Sequence, residues 1–451
     1  MQIQRLTSSE NQFELFKKLY LLYERVFIFE SLIGPKELAE MSIIGFDPKL
    51  VVTCDSKEFK VEDRSGRILQ ISPAKEPLSS IRDLMAKVND DRFRYVGGAV
   101  GYISYDAIRF WEHLPINKNK EANDFPLLEF GIYDDGILFN HKENQAYYFF
   151  LEESRLEQIE HKMAQTKHKP ARFSYSAPKR NMTKKDFVKM VKKAKRYLYD
   201  GHIFQVVLAK SMKFTVKGNL IDLYAKLREV NPSPYMYMLK MSDRSIIGSS
   251  PEMLIRITKD FIETFPIAGT RQILQDETEN EKLRKELLED EKEIAEHTML
   301  VDLARNDIGR VCEFGTVKVK DFMSVKRFSH VQHIVSHVVG TLHKNFDSYN
   351  SIKAVFPAGT VSGAPKVRAM QIIDELEPSL RGPYAGAIGY FSFNGSCDFA
   401  ITIRSLFVNG SKAYLQSGAG IVIDSDPELE WAETEHKANA ILSALKQASS
   451  C

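Results

Sequence analysis

Two pairs of glutamates stand three residues apart in the C-terminal half of the chain. Glu293 and Glu296 lie in Asp290-Glu-Lys-Glu-Ile-Ala-Glu-His297, and Glu430 and Glu433 in Pro427-Glu-Leu-Glu-Trp-Ala-Glu433. This spacing puts both members of a pair on one face of a helix. Two such faces brought together make a site of carboxylate oxygens alone, a donor set for Mg2+ rather than for zinc or iron. A hard cation held by few protein oxygens keeps positions open for an anionic substrate. A Glu-x-x-Glu pair by itself is commonly a solvated helix face, so the segments around the pairs carry the weight.

Three glycine-rich segments accompany them: Pro266-Ile-Ala-Gly-Thr-Arg271, Pro357-Ala-Gly-Thr-Val-Ser-Gly-Ala-Pro-Lys366 and Ser417-Gly-Ala-Gly-Ile421. As loops they let backbone N–H groups approach an anion and add threonine hydroxyls as donors. Tight turns at strand ends have the same composition. Ser362-Gly-Ala-Pro365 is expected to open a helix whose N-terminus favours a carboxylate or phosphate. The Gly-x-x-x-x-Gly-Lys-Ser/Thr pattern of a nucleotide-binding loop is absent. Carboxylate pairs and anion-ready loops together point to a small polycarboxylate on Mg2+. Arg404, inside an expected strand Phe399–Leu406, is the direct cation for a substrate carboxylate, or else the ion-pair partner of a glutamate. His333 has a side chain suited to acid–base work near neutral pH, although a given histidine is more often structural. Glu252 follows a turn and enters an apolar run, where burial raises a carboxyl pKa and suits it to protonate a leaving hydroxyl. Gln205 is the polar exception in Ile203-Phe-Gln-Val-Val-Leu208, and a buried glutamine commonly satisfies a neighbour's hydrogen bonds.

Positioning these residues takes helices for the glutamates and strands for most of the rest. Thr183 caps a helix carrying Phe187, Met190, Val191, Ala194, Tyr197 and Leu198 on one face, ended by Gly201. Long helices are expected at about 276–306, 363–376 and 428–448, the last with Asp426 as its cap and Pro427 at its first position. β-branched and aromatic runs read as strands, among them Lys49–Cys54, Gln145–Leu151, Tyr235–Lys240, Phe261–Pro266, Gly386–Phe393 and Ala413–Gln416. Strands outnumber helices and do not alternate with them. The expected class is therefore α+β, with large antiparallel sheets packed as a sandwich among surrounding helices. Residues 1–165 read as an N-terminal region, the basic, proline-containing stretch 166–182 as a linker, and 183–451 as a second region holding every candidate above. No internal repeat shows.

With 451 residues, 43% of them hydrophobic, the chain can bury a large core. Lys+Arg 62 against Asp+Glu 60 leaves a net charge of +2, which gives no reason to expect nucleic acid. Cys54, Cys312, Cys397 and Cys451 are scattered, as in a reducing cytoplasmic compartment. There is no apolar leader and no apolar run of about 18 residues, so neither a signal peptide nor a membrane span is expected.

Seven blocks occur in order: Ile203-Phe-Gln-Val-Val207, Asn231-Pro-Ser-Pro-Tyr-Met236, Gly248-Ser-Ser-Pro-Glu252, Pro266–Arg271, Glu296-His-Thr-Met-Leu-Val-Asp-Leu-Ala-Arg-Asn-Asp307, Phe356–Lys366 and Gly418-Ala-Gly-Ile-Val-Ile-Asp-Ser425. Through them residues 183–445 resemble the chorismate-utilising enzymes, most closely the anthranilate synthase large-subunit (component I) family. Residues 1–165 match more loosely, through Glu30-Ser31 and Ser42-Ile-Ile-Gly45. The resemblance implies one large α+β unit of packed sheets with the site between its halves. It implies chorismate held on Mg2+, attack of ammonia at C2 of the ring, loss of the C4 hydroxyl and elimination of pyruvate. Glu296 and Glu433 would ligate the metal directly and Glu293 and Glu430 through water. Glu252 would be the acid for the hydroxyl, and His333 would serve pyruvate elimination. Tyr384, Arg404 and the Gly418-Ala419-Gly420 backbone would bind carboxylates, with Thr270 and Thr360 lining the ring pocket.

Two positions separate the relatives. Isochorismate synthases carry lysine where Gln205 stands, as base on an attacking water, and a neutral amide cannot take that part. The aminodeoxychorismate synthase large subunit carries lysine where Ala268 stands. Both favour amination at C2, with isochorismate and aminodeoxychorismate as the alternative products. The resemblance also implies a separate glutamine amidotransferase subunit as ammonia source, because neither Cys312 nor Cys397 has a nucleophile-elbow setting. Finally it implies a tryptophan feedback pocket at Glu30, Ser31, Ser42, Asn231, Pro234, Tyr235 and Met236. Here Ile-Phe-Glu-Ser replaces the family's usual Leu-Leu-Glu-Ser, and Glu40-Met41 its Gly-Arg.

Overall fold

Alternating and wholly apolar runs of β-branched and aromatic residues can satisfy their backbone groups and bury their side chains together only by pairing into sheets. The computed structural model shows that outcome on a large scale. It describes every residue except 7–9, 34–39, 115–119, 122, 166–171, 328–330 and 451, so much of the expected linker lies outside the described residues. One sheet has 13 strands and the other 12, paired antiparallel throughout. Both draw strands from residues before and after position 166. Phe27, Ile43 and Phe149 of the first sheet share one apolar core with Val52, Val100 and Phe130 of the second. A second core lies between the outer face of the 13-stranded sheet and three helices, Gln12–Leu22, Leu220–Val230 and Pro427–Ser449, through Phe16, Tyr224, Leu227 and Ile441.

The chain passes between the sheets in a pattern that occurs twice. Strands Arg25–Glu30 and Met41–Phe46 lie in the first sheet; the chain then crosses to Leu50–Cys54 and Glu58–Asp63 in the second. It continues through Gly98–Ile103 and Leu128–Tyr133 and crosses back to Asp135–Asn140 and Gln145–Phe150. Strands Tyr235–Met241 and Arg244–Ser250 repeat the first passage, crossing to Met253–Thr258 and Phe261–Thr264. Ala387–Ser392 and Cys397–Ile401 then lead back to Ser405–Asn409 and Lys412–Ile421. The halves meet head to head, Arg25–Glu30 against Tyr235–Met241 in one sheet and Gly98–Ile103 against Ala387–Ser392 in the other. The repeat is one of connectivity, which a search for sequence periodicity does not detect.

Several expected boundaries move. The single strand expected at Phe399–Leu406 is two strands in different sheets, broken at 402–404, where Arg404 has φ +50°. The long helix expected at 276–306 is two, Glu277–Glu289 and Glu291–Gly309. Asp290 ends the first, and its carboxylate takes the free N–H groups of Lys292 and Glu293 at the start of the second. The helix expected from 363 starts at Lys366, because Gly363-Ala364 pairs with Gln205-Val206. Two of the three glycine segments are strand rather than loop: Ile267–Gln272, with a bulge at Gly269 (φ +64°), and the end of Lys412–Ile421.

The two crossing corners differ in chemistry. The N-terminal corner, Asp47 and Asp134 with neighbouring Asp135, is filled by arginines. Arg155 binds Asp47 at 2.6 Å and both oxygens of Asp135 at 2.6 and 2.9 Å, and Arg64 binds Asp134 at 3.0 Å. Arg155→Met leaves the buried Asp135 short of its cation. The expected cost is about 3 kcal/mol, read as a lower urea midpoint at unchanged slope. A midpoint equal to that of the wild type would show that the corner is not held by these pairs.

Candidate active site

The C-terminal corner holds one acid and one cation and is otherwise bound through its backbone. Ser250 Oγ donates to the Ile401 carbonyl at 2.7 Å, Ile401 N–H to the Glu252 carbonyl at 3.0 Å, and Ser249 N–H to the Arg404 carbonyl at 3.2 Å. These bonds bring Glu252 and Arg404 together from two separate crossings. Burial pushes the Glu252 carboxyl up to about 7, against the pull of the Thr360 hydroxyl, Arg404 and Lys437. Burial draws the Arg404 guanidinium below its usual range, and Glu252 opposes that fall.

His333 stands on strand Val331–Thr341, with Nδ1 2.7 Å from the Gly269 carbonyl and 3.1 Å from Thr270 Oγ1. A carbonyl only accepts, so Nδ1 carries the proton and Nε2 the lone pair. Burial pushes the imidazole down to about 4. The Gly269 bond opposes the fall, and Arg404 and Lys437 add to it. The ring is therefore neutral near pH 7.

Gln205 starts a 13-residue strand, Gln205–Lys217, far longer than the expected Ile203–Leu208. Its Nε2 donates to Glu296 Oε1 at 2.6 Å, while Gln205 Oε1 is buried without a hydrogen-bond partner. A methyl group on Gly420 would come within 2.7 Å of that Nε2 and would force the amide to shift. Burial raises the Glu296 carboxyl, and Glu293 and Glu433 raise it further. Burial and Glu433 raise Glu430, whose Oε2 is buried and unbonded. Glu293 rests on Arg271 at 3.3 Å and Glu433 on Lys437 at 2.6 Å. Among the described residues, no three His, Cys, Asp or Glu side chains stand close enough to grip a metal as they are placed. The set is nevertheless all oxygen, mutually repelling and partly unsatisfied, and so fits a hard cation such as Mg2+.

Tyr384 is buried, with its hydroxyl 3.0 Å from the point where a Gly418 Cβ would stand. Sequence reasoning missed Lys437, which also donates to the Gly418 carbonyl at 3.1 Å. Its only sequence signal is the four-residue spacing from Glu433.

A separate cavity opens beside strands Arg25–Glu30 and Tyr235–Met241. Glu30, Ser31, Pro234, Tyr235 and Met236 line it, with Arg256 and Asp398 at its polar end. Ser42 and Asn231 do not line it. Ser42 Oγ is 2.8 Å from His141 Nε2, and Asn231 Nδ2 donates to Ser249 Oγ at 2.6 Å.

Burial of a protonated Glu252 has a consequence for stability. The folded carboxyl keeps its proton up to about pH 7 and the unfolded one only to about 4.5. Stability therefore falls as pH rises through that window and levels off above it. Glu252→Gln removes this dependence. Relative to the wild type it is expected to gain about 2–3 kcal/mol between pH 5 and 8, read from denaturant unfolding at each pH. A difference that does not change with pH would contradict the buried neutral acid.

The family model for chorismate binding enzymes matches residues 24–443. Anthranilate synthase component 1 of Methanothermobacter thermautotrophicus is 45% identical over 97% of this chain and 92% of its own length. The protein of that name from Saccharolobus solfataricus is 40% identical over 99% of both. The crystal structure of anthranilate synthase component I from Streptococcus pneumoniae TIGR4 superposes with a TM-score of 0.78 at 35% identity, over 91% of this chain and 94% of that one. The menaquinone-specific isochorismate synthase MenF of Escherichia coli shares the fold, with a TM-score of 0.74 at 19% identity, covering 98% of this chain and 94% of that one. A match spanning most of the chain, with relatives at this identity over nearly full length, places the protein in the chorismate-binding enzyme family, beside the anthranilate synthase component 1 proteins.

Proposed function

We propose that the protein is the synthase component of an anthranilate synthase. It converts chorismate and ammonia into anthranilate, pyruvate and water. The observation that carries this reading is the Gln205–Glu296 contact at 2.6 Å. The carboxylate accepts, so the amide must present its NH2 to Glu296, which leaves Oε1 as an acceptor beside the carboxylate set. An acceptor with no basic lone pair suits the N–H bonds of ammonia and gives no help to an attacking water.

Glu296 and Glu433 would hold Mg2+, with Glu293 and Glu430 contributing through water. When bound, the ion supplies the counter-charge for a substrate carboxylate. Arg404, Tyr384 and the backbone of Gly418 and Gly420 orient the other carboxylate, and Thr270 and Thr360 flank the ring. Ammonia adds at C2. The C4 hydroxyl leaves as water with the proton of Glu252, which is in hand because burial keeps that carboxyl protonated near pH 7. His333, neutral and with its lone pair on Nε2, takes the C2 proton as the C–O bond to the enolpyruvyl group breaks and pyruvate departs. Burial raises the thiols of Cys54 (to about 12) and Cys312 (to about 11), and raises Cys397 as well. None of these is a thiolate near neutral pH. Glutamine-derived ammonia comes from a separate amidotransferase subunit.

Incubation with chorismate, ammonium and Mg2+ at alkaline pH is expected to give anthranilate and pyruvate. Chelation, or Glu296→Ala or Glu433→Ala, should abolish turnover, and Glu252→Gln should lower kcat by about 10²–10⁴. Isochorismate or an aminodeoxychorismate as the product would reject the reading.

The cavity beside strands Arg25–Glu30 and Tyr235–Met241 takes tryptophan as a feedback inhibitor, with apolar walls for the indole and the Arg256–Asp398 ion pair in its polar lining. Ser31→Phe should turn over normally and escape inhibition by tryptophan. Inhibition at the wild-type concentration would remove the assignment.

A further inference from the structure

Arg381 is the largest fully buried side chain among the described residues, 1% exposed, and nothing above uses it. Its guanidinium joins segments far apart in sequence. Nε donates to Glu377 Oε2 at 3.0 Å and Nη2 to Glu377 Oε1 at 2.6 Å. Nη1 donates to the Val361 carbonyl at 2.7 Å, and Nη2 also to the Val207 carbonyl at 2.8 Å. Glu377 accepts in turn from Ala209 N–H at 2.8 Å. The guanidinium also lies 4.6 Å from the Tyr105 ring and 5.8 Å from the Tyr384 ring.

Each of these attachments borders a group placed around chorismate. Val361 follows Thr360 in the short helix Gly359–Ser362. Val207 and Ala209 continue the strand that Gln205 begins. Tyr384 lies against the guanidinium and carries its own hydroxyl to Gly418. A planar fork can hold two carbonyls and a carboxylate at once, whereas an ammonium on a flexible stem cannot hold all three in fixed directions. A buried ion pair adds little to stability relative to apolar side chains of the same volume. Its geometry here points instead to precision: the Thr360 turn, the Gln205 strand and the Tyr384 ring meet at a single rigid group.

We infer that Arg381 is a positioning residue for substrate binding, setting Tyr384, the Thr360 turn and the Gln205 strand at fixed separations; this rests on the proposed reaction. It touches no substrate and acts through Tyr384 and Thr360. Glu377 fixes the plane of the fork.

The test is steady-state kinetics with chorismate on Arg381→Lys, Tyr384→Phe and the double variant, each with its unfolding temperature. Arg381→Lys is expected to raise KM for chorismate about tenfold or more with kcat within about threefold. The double variant should raise KM by clearly less than the product of the two single changes, because the lysine variant has already misplaced the hydroxyl that the second change removes. A wild-type KM at a lowered unfolding temperature would make Arg381 structural only, and effects on KM that multiply would show that it does not act through Tyr384. If Arg381→Lys does not fold, Glu377→Gln keeps the cation and loosens its plane. That variant should raise KM in the same direction by a smaller factor, and an unchanged KM overturns the proposal. The wild-type control forms anthranilate if the proposed reaction holds, so failure of that reading is seen separately.

Discussion

A carboxyl group buried where two strand crossings meet resists ionisation, and the chemistry of the site is arranged around that resistance. Glu252 is held where bonds among Ser250, Ile401 and the backbone of residues 249, 252 and 404 tie the two crossings of the C-terminal corner together. The same burial that holds its proton to about pH 7 also keeps His333 neutral. One desolvated environment thus sets an acid and a base in opposite directions, the carboxyl upward and the imidazole downward. The oxygen set of Glu293, Glu296, Glu430 and Glu433 carries the opposite problem. Its charges repel, and the repulsion is what a cation would relieve.

The fold supplies two such corners and uses them differently. The N-terminal corner is closed by Arg64 and Arg155 against Asp47, Asp134 and Asp135, every charge being paired within the protein. At the C-terminal corner Glu252 and Arg404 act on each other through their charges. Strand connectivity explains where a site can form. The side chains at the crossing decide whether one does.

Much of this was legible in the sequence. The types and spacing of the glutamate pairs, Glu252, His333 and Gln205 single them out as candidates, and the helix starting at Lys184 follows from Thr183, its apolar stripe and Gly201. The sandwich class follows from the excess of strands. What escaped was set by long-range contact. Nothing local in Phe399–Leu406 shows that the chain leaves one sheet and enters another at Arg404, because both halves have strand-like composition. Gly418-Ala-Gly420 reads as a loop, yet it is strand, with Tyr384 and Gln205 close against its glycines. Arg381 has no motif at all; its role depends on carbonyls brought to it from positions 207 and 361.

The measurement that tests the central claim most directly is a titration of the Glu252 carboxyl itself. Protein labelled with 13C at glutamate carboxyls would be followed by NMR against pH, with the Glu252 signal identified by its loss in Glu252→Gln. A buried neutral acid gives a midpoint near 7. A midpoint near the ordinary 4.5 would show an ionised carboxylate at the corner and would contradict its place as the acid of the site.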